Sequence, residues 1–428
     1  MIYWAPLLHL YQPQTQTYQI LEKVCHESYR PLVKLLTDFP HARATININA
    51  TLTEMLAEHG MSDVLDGLRE LAEKGQIEFT GSAKYHPILP LIPQDEALRQ
   101  VILNQQTNRH YLGERYVTRG FFPPEMCYSP DLVPSIIETG HKWLILAGIA
   151  CPVAWPTTLI HEIRHGRKKL PVFFRDCILS NKIAFRGIDA PGFLASLRAM
   201  AGNSKDIYVI TAMDGETFGH HIKDWDRLFL GEVYKALEQE TQELPAMKVD
   251  DPHEINSFLE TATKPDITAV TISDLLELFP PGEAIKPHPS SWSTTADDIQ
   301  AGNPYPLWYT KDNHIHQLQW QHLKLATWLT HQAISATTTK PVKNFADLAR
   351  NLLDQAMQSD QFWWASRKPW WDINMINQGL MKQSEVILNA YQAVRMSRLS
   401  DDVKTECYHQ VLAAGELRNR IIDRLFVD

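Results

Sequence analysis

Little in this chain marks a stapled, metal-clasped or membrane-bound protein. Its 5 cysteines, Cys25, Cys127, Cys151, Cys177 and Cys407, are odd in number and scattered, and no CxxC pair occurs. Neither a disulfide framework nor a thiolate zinc site is indicated, which fits a reducing compartment. No long apolar run is present, so no transmembrane helix is expected. The first residues carry no basic stretch leading into an apolar core and cleavage site, and a cytoplasmic address is expected. Positive charge is in short supply: 41 Lys and Arg against 50 Asp and Glu leave a net charge of −9, with no basic stripe. Nucleic acid and anionic membrane are therefore not expected as partners. Internal repeats and low-complexity tracts are missing too.

What is there describes an ordinary soluble protein: 44% hydrophobic and 21% charged over 428 residues. That length exceeds what one core usually spans, so a large domain over 1–280 and an appended one over 281–428 are expected. The 12 tryptophans are many for this length, and those clustered late beside polar residues suggest aromatic platforms as well as core.

The stretch that organises the rest runs from Tyr208 to His221 (YVITAMDGETFGHH). It opens as a β-branched apolar run, the pattern of a strand covered on both faces, and turns abruptly into Asp214, Glu216, His220 and His221 among glycines. In a parallel α/β domain the end of a buried strand is where catalytic groups sit. Further strands are predicted over 1–11, 44–50, 76–80, 120–122, 142–147, 170–174 and 267–272, with helical spacing between most of them, including one helix from Gln19 to Thr37. Strands and helices alternating this way mean βαβ units and a parallel sheet, and their number favours a barrel or near-barrel. Pro280 to Pro289 reads as a proline-rich connector. Beyond His314 the apolar spacing is helical over 317–333, 344–357, 374–395 and 403–425, predicting a C-terminal helical bundle interrupted by Asp360, Trp363 and Trp364.

Glu125 follows a short strand and two prolines that stiffen its loop, and Asp214 occupies the matching place at a later strand end. Two carboxylates over one cleft are the minimal apparatus of glycoside hydrolysis, one attacking the anomeric carbon and the other moving the proton. The acid needs a raised pKa, from burial or from a neighbouring negative charge. Glu216 is placed to tune Asp214 or to bind sugar. His9, with Tyr11 and Gln12 beside it, is either a satisfied core residue or a sugar contact, and His220 and His221 are loop residues near the cleft. Arg175 and Asp176 form either a structural ion pair or a support for a carboxylate. Trp292, Trp363 and Trp364 are core by default, yet a flat indole over a pyranose is a common platform, and Asp360 beside the last two favours it.

The segments His9–Pro13 (HLYQP), Gly81–Leu89, Gly120–Met126 (GFFPPEM), Asp214–Gly219 (DGETFG) and Ser359–Trp364 (SDQFWW) resemble, in this order and across nearly the whole chain, the five motifs of glycoside hydrolase family 57. The resemblance implies an incomplete (β/α)7 barrel of parallel strands with a C-terminal helical domain contributing to the active-site cleft. It implies a retaining enzyme acting on α-glucans or maltooligosaccharides, by hydrolysis or by 4-α-glucanotransfer, without a cofactor. Its nucleophile falls on Glu125 and its acid/base on Asp214. His86 stands in the second motif where some members carry Glu, and Phe122 is the aromatic before the Pro-Pro-Glu turn; both bear on subsite shape. The short length argues against a branching enzyme.

Two other readings remain. A metal-dependent mannosidase or deacetylase would use His9, His86, Asp214, His220 and His221 as ligands, but HLYQP lacks the His-x-Asp spacing such a site wants. A non-catalytic glucan-binding protein would be expected to lose a carboxylate, and both are present.

Overall fold

A computed structural model of the chain describes residues 1–201, 206–242, 266–367 and 371–427. It divides into two compact units. The first comprises Met1–Lys84 and Gln94–Trp292, the second Tyr85–Pro93 and Ser293–Asp428. Among the described residues no helix is long and apolar enough to cross a membrane.

The first unit is built on strands β1 (Ile2–Leu10), β2 (Ala44–Ile48), β3 (Ile77–Gly81), β4 (Thr118–Phe121), β5 (Trp143–Ala147), β6 (Ile160–His165), β7 (Lys168–Arg175), β8 (Ile207–Asp214), β9 (Ile267–Ala269) and β10 (Pro281–Ala284). Seven of them, in the order β7-β5-β4-β3-β2-β1-β8, pair parallel throughout. The terminal strands of this path approach without forming a ladder: Asp176 N donates to Ile210 O at 2.8 Å and the Arg175 Nε to Ala212 O at 2.6 Å. The result is the expected incomplete (β/α)7 barrel.

Strand alternation explains the near-continuous apolar runs, because both faces are covered. Ala5, Leu7, Ile145, Ala147, Phe173, Tyr208, Ile210 and Ala212 pack together inside. Trp4, Leu8, Val209 and Met213, one residue out of phase, join helix residues such as Leu32, Leu68, Phe193 and Phe229 outside. The segment after β9 brings Val270, Ile272, Leu275 and Phe279 into the inner cluster. It is tied down by Ile272 N to Thr45 Oγ1 (3.0 Å), Ser273 N to Glu78 Oε1 (3.0 Å) and Trp143 Nε1 to Ser273 Oγ (2.9 Å). These partners belong to the N-terminal halves of their strands, so the opposite, C-terminal ends remain for a site.

Four features depart from the sequence expectation. β6 and β7 form an antiparallel hairpin where one strand was predicted, and β10, inside the proline-rich connector, pairs with β6 as an edge strand. A helix over Cys177–Ala184 was not anticipated; Asp176 caps it, accepting from Leu179 N at 2.8 Å. The helix predicted over Gln19–Thr37 is interrupted by a π-helical turn, Cys25–Tyr29, between Tyr18–Val24 and Arg30–Asp38.

The second unit is the helical bundle, with helices His314–Ser335, Lys340–Ala356, Asp360–Trp363, Ile373–Met396 and Asp401–Val427. The short segment Tyr85–Pro93 belongs to it, bridging through Pro87 and Gln358.

Candidate active site

Parallel pairing of β1 with β8 sets His9 opposite Asp214. Each continues the inward face of its strand, one pleat beyond Leu7 and Ala212, so an apolar interior gives way to a polar rim at the C-terminal ends. His9 Nδ1 lies 2.7 Å from Asn47 Oδ1, and Asn47 Nδ2 donates to Thr80 Oγ1 at 2.8 Å. That order makes Asn47 Oδ1 the acceptor and puts the imidazole hydrogen on Nδ1. The ring stacks on Phe122 with centroids 4.8 Å apart and planes at 17°. Burial holds the His9 pKa below its ordinary value against the opposing pull of Asp214. Burial likewise raises the carboxyl of Asp214, which His9 and Arg175 partly offset. Arg175 makes no ion pair with Asp176; it donates to Ala212 O and, through Nη2, to Asn181 Oδ1 at 2.8 Å.

Glu125 stands just beyond β4. Phe122 N donates to Gly81 O at 2.9 Å, and after Pro123 and Pro124 the chain turns sharply. Glu125 (φ 56°) and Met126 (φ 49°) both occupy the left-handed region, a conformation costing about 1–3 kcal/mol per non-glycine residue. It is held by Met126 N to Pro123 O and Cys127 N to Pro124 O, at 2.8 and 2.9 Å. The Glu125 carbonyl accepts from Trp292 N at 3.1 Å, and Tyr128 and Ser290 exchange backbone bonds. Trp292 is half-buried, edge-on to His9 (5.9 Å) and Phe122 (6.1 Å), with the Arg175 guanidinium 5.9 Å from its ring. Trp292 thus sets its indole against the groups beside Asp214 while its backbone N holds the loop of Glu125.

Glu216 is buried, and its Oε1 collects the Tyr29 hydroxyl, Tyr11 N (3.3 Å) and Gln12 Nε2 (3.3 Å). Burial, and then the charge of Asp214, push its carboxyl up to about 7. His220 points elsewhere, its Nδ1 2.6 Å from Glu27 Oε2. Tyr29, Asn47 and Arg175 complete this rim. The sequence marks Arg175 as a strand-end cation able to support a carboxylate and gives no sign of the other two.

In the helical unit, His86 is buried at φ 54°, its Nδ1 3.0 Å from Ser359 Oγ, and Ser359 N donates to His86 O at 3.1 Å. Gln361 donates to Ala356 O (2.6 Å) and accepts from Gln383 Nε2 (2.8 Å), while Gln319 Nε2 donates to Gln361 O (3.0 Å). This network fixes the turn carrying Asp360, Trp363 and Trp364, all three half-buried. The two indoles meet edge-on at 4.7 Å.

The histidines proposed as metal ligands are separately engaged, His9 with Asn47, His86 with Ser359 and His220 with Glu27. No group of three ligand atoms within 4.8 Å among the described residues includes any of them or Asp214. A surface groove of about 1070 Å³, lined by Lys23, Glu27, Arg30, Lys34, His220 and Lys223 among others, lies on the helix side of the loop after β8. Glu125, Asp214 and Glu216 are not in its walls, most of its cations are ion-paired, and we assign it no role.

The sequence profile described as glycosyl hydrolase family 57 matches residues 5–261. An α-amylase of Pyrococcus abyssi is 27% identical over 220 residues, which is 50% of this chain and 32% of that protein. A 4-α-glucanotransferase of Thermococcus litoralis is likewise 27% identical over 220 residues, again 50% of this chain and 32% of the relative. The matched stretch therefore spans about a third of these relatives' length. Among solved structures, a branching enzyme of Pyrococcus horikoshii superposes with a TM-score of 0.71 at 14% identity, covering 97% of this chain and 94% of that one. At such identity the likeness speaks for the fold alone, and the near-equal coverage removes length as a ground for setting this chain apart from branching enzymes.

Proposed function

The chain belongs to glycosyl hydrolase family 57, and on that footing we propose that it is a retaining hydrolase or transglycosylase of α-glucans, with Glu125 as nucleophile and Asp214 as general acid/base. The observation that carries this proposal is that Trp292, whose backbone N bonds the Glu125 carbonyl, lies against His9 and Arg175, the two groups whose charges act on Asp214. The names of the matched relatives, α-amylase and 4-α-glucanotransferase, support the substrate class.

In the proposed reaction Glu125 attacks the anomeric carbon while Asp214 gives its proton to the departing oxygen. Asp214 then takes a proton from water or a sugar hydroxyl, which releases the glycosyl group with net retention. Burial raises the Asp214 carboxyl above its ordinary range, the direction a general acid needs. The rigid left-handed turn suits Glu125 to a fixed line of attack. We assign sugar contacts to His9, Tyr11, Gln12, Glu216 and Trp292, and in the helical unit to His86, Asp360, Trp363 and Trp364. His220, its Nδ1 engaged by Glu27, is the remaining sugar contact of the proposal.

Incubation with maltooligosaccharides tests the proposal. A ladder of longer products means transfer, only shorter ones means hydrolysis, and an unchanged substrate overturns it. Proton NMR of the first product should show the α-anomer. Activity surviving a chelator is expected, and its loss would favour the metal-dependent alternative.

A further inference from the structure

Three successive residues of the π-helical turn Cys25–Tyr29 grip three points of the loop that follows Asp214. The Glu27 carboxylate holds His220, and its carbonyl lies where any side chain at position 219 would stand: a Cβ on Gly219 (φ 112°) would be 1.7 Å from that oxygen. Ser28 Oγ donates to Gly215 O at 2.9 Å. Tyr29, buried, donates its hydroxyl to Glu216 Oε1. A regular helix advances about 100° per residue and sends neighbouring side chains to different faces; the wider π turn is the kind of local irregularity that re-aims them, and such turns concentrate at functional sites.

We propose that Tyr29 is a positioning residue: from this turn it fixes the carboxyl of Glu216 beside Asp214 and so sets how firmly the two carboxyls keep the proton that the acid step consumes. The proposal rests on the role given above to Asp214. Tyr29 contributes only as a donor, because burial and the Glu216 charge raise its own pKa well above the usual value. Around Glu216 the charged or titratable groups are few. Asp214 faces it from β8 and Tyr29 from the π turn, where Cys25, its thiol pushed up to about 12, stays neutral. Tyr11 N and Gln12 Nε2 approach from the end of β1. His9 acts on the pair through Asp214. With no cation paired to Glu216 among the described residues, the phenol is the donor whose removal should be felt most.

The experiment compares the wild-type chain with Tyr29→Phe. Losing a hydrogen bond to an ionised group disfavours that ion, so the alkaline limb of kcat/KM should move to higher pH by about one unit, with the acidic limb unmoved. An unmoved alkaline limb with lower amplitude would reduce Tyr29 to packing and overturn the proposal. Should Tyr29→Phe fail to fold, 3-fluorotyrosine at position 29, a stronger donor of nearly the same volume, should move the limb to lower pH; no movement overturns the proposal as well. A carbon-13 NMR titration of the Glu216 carboxyl, assigned through Glu216→Gln, gives a readout independent of turnover. Its midpoint should rise in Tyr29→Phe. A chain that turns over no glucan but shows this rise has lost the proposed function while keeping the link between Tyr29 and Glu216. An unmoved midpoint breaks the link whatever the activity.

Discussion

His86 and Ser359 stand 273 residues apart in sequence, yet the imidazole Nδ1 and the hydroxyl lie 3.0 Å apart, reinforced by a backbone bond from Ser359 N to His86 O. The contact joins the second and fifth motif segments inside the helical unit. His86 also keeps a left-handed backbone without being glycine. Ser359→Ala removes the hydroxyl and should lower stability by about 1 kcal/mol, read as a shift in the urea midpoint with an unchanged slope. A neutral result would mean that the backbone bond alone holds the segment.

The roles of the two carboxylates separate by chemical rescue. Glu125→Ala has no nucleophile and should lose activity by three or more orders of magnitude on every substrate. Asp214→Ala should still form a glycosyl-enzyme from a nitrophenyl glycoside, whose leaving group needs little protonation, and stall there. Added azide should relieve the stall and give a glycosyl azide of retained configuration. Rescue of Glu125→Ala to the inverted azide, with none for Asp214→Ala, would show the roles to be reversed.

Glu216 links the site to stability. Its carboxyl ordinarily titrates near 4.5 and in the fold near 7. Between these values the folded chain keeps a proton that the unfolded chain releases, so raising the pH through this window favours unfolding. The penalty is absent below about pH 4.5 and complete above about pH 7, and at 1.36 kcal/mol per unit it amounts to about 3 kcal/mol. Glu216→Gln does not titrate, so its stability relative to wild type should grow from pH 5 to pH 8 in denaturant titrations. A constant difference would contradict the raised pKa.

Gly219→Ala tests the grip of the π turn. The positive φ and the Glu27 carbonyl oxygen 1.7 Å from the added Cβ both oppose it, and a cost of about 2 kcal/mol or more is expected. Because the strain falls on the loop joining Asp214 to His220, activity should fall more steeply than the melting temperature. Equal losses would point to a general weakening of the fold.

Much of this molecule follows from local pattern. The inner and outer faces of β1 and β8, the helical stripes after His314 and the stiff Pro-Pro-Glu turn are properties of neighbouring residues, and period and composition report them. The five motif segments, read in order, also carried the family and the barrel. Tertiary structure alone decided which polar groups share the rim. Register between β1 and β8 pairs His9 with Asp214, and a hydrogen-bonded chain across the sheet brings in Asn47 and Thr80. Tyr29 reaches Glu216 only because a helix widens for one turn, which leaves the apolar spacing almost unchanged and is therefore nearly silent in sequence. β10 begins at a proline, which an edge strand tolerates and a central one would not; that edge exists only once β6 has folded back on β7. Tyr85–Pro93 lodges with residues beyond 290 because its partner, Ser359, comes from the far end of the chain. Periodicity measures what a residue shares with its neighbours in sequence; contacts across hundreds of residues depend on register and packing, which no short window contains.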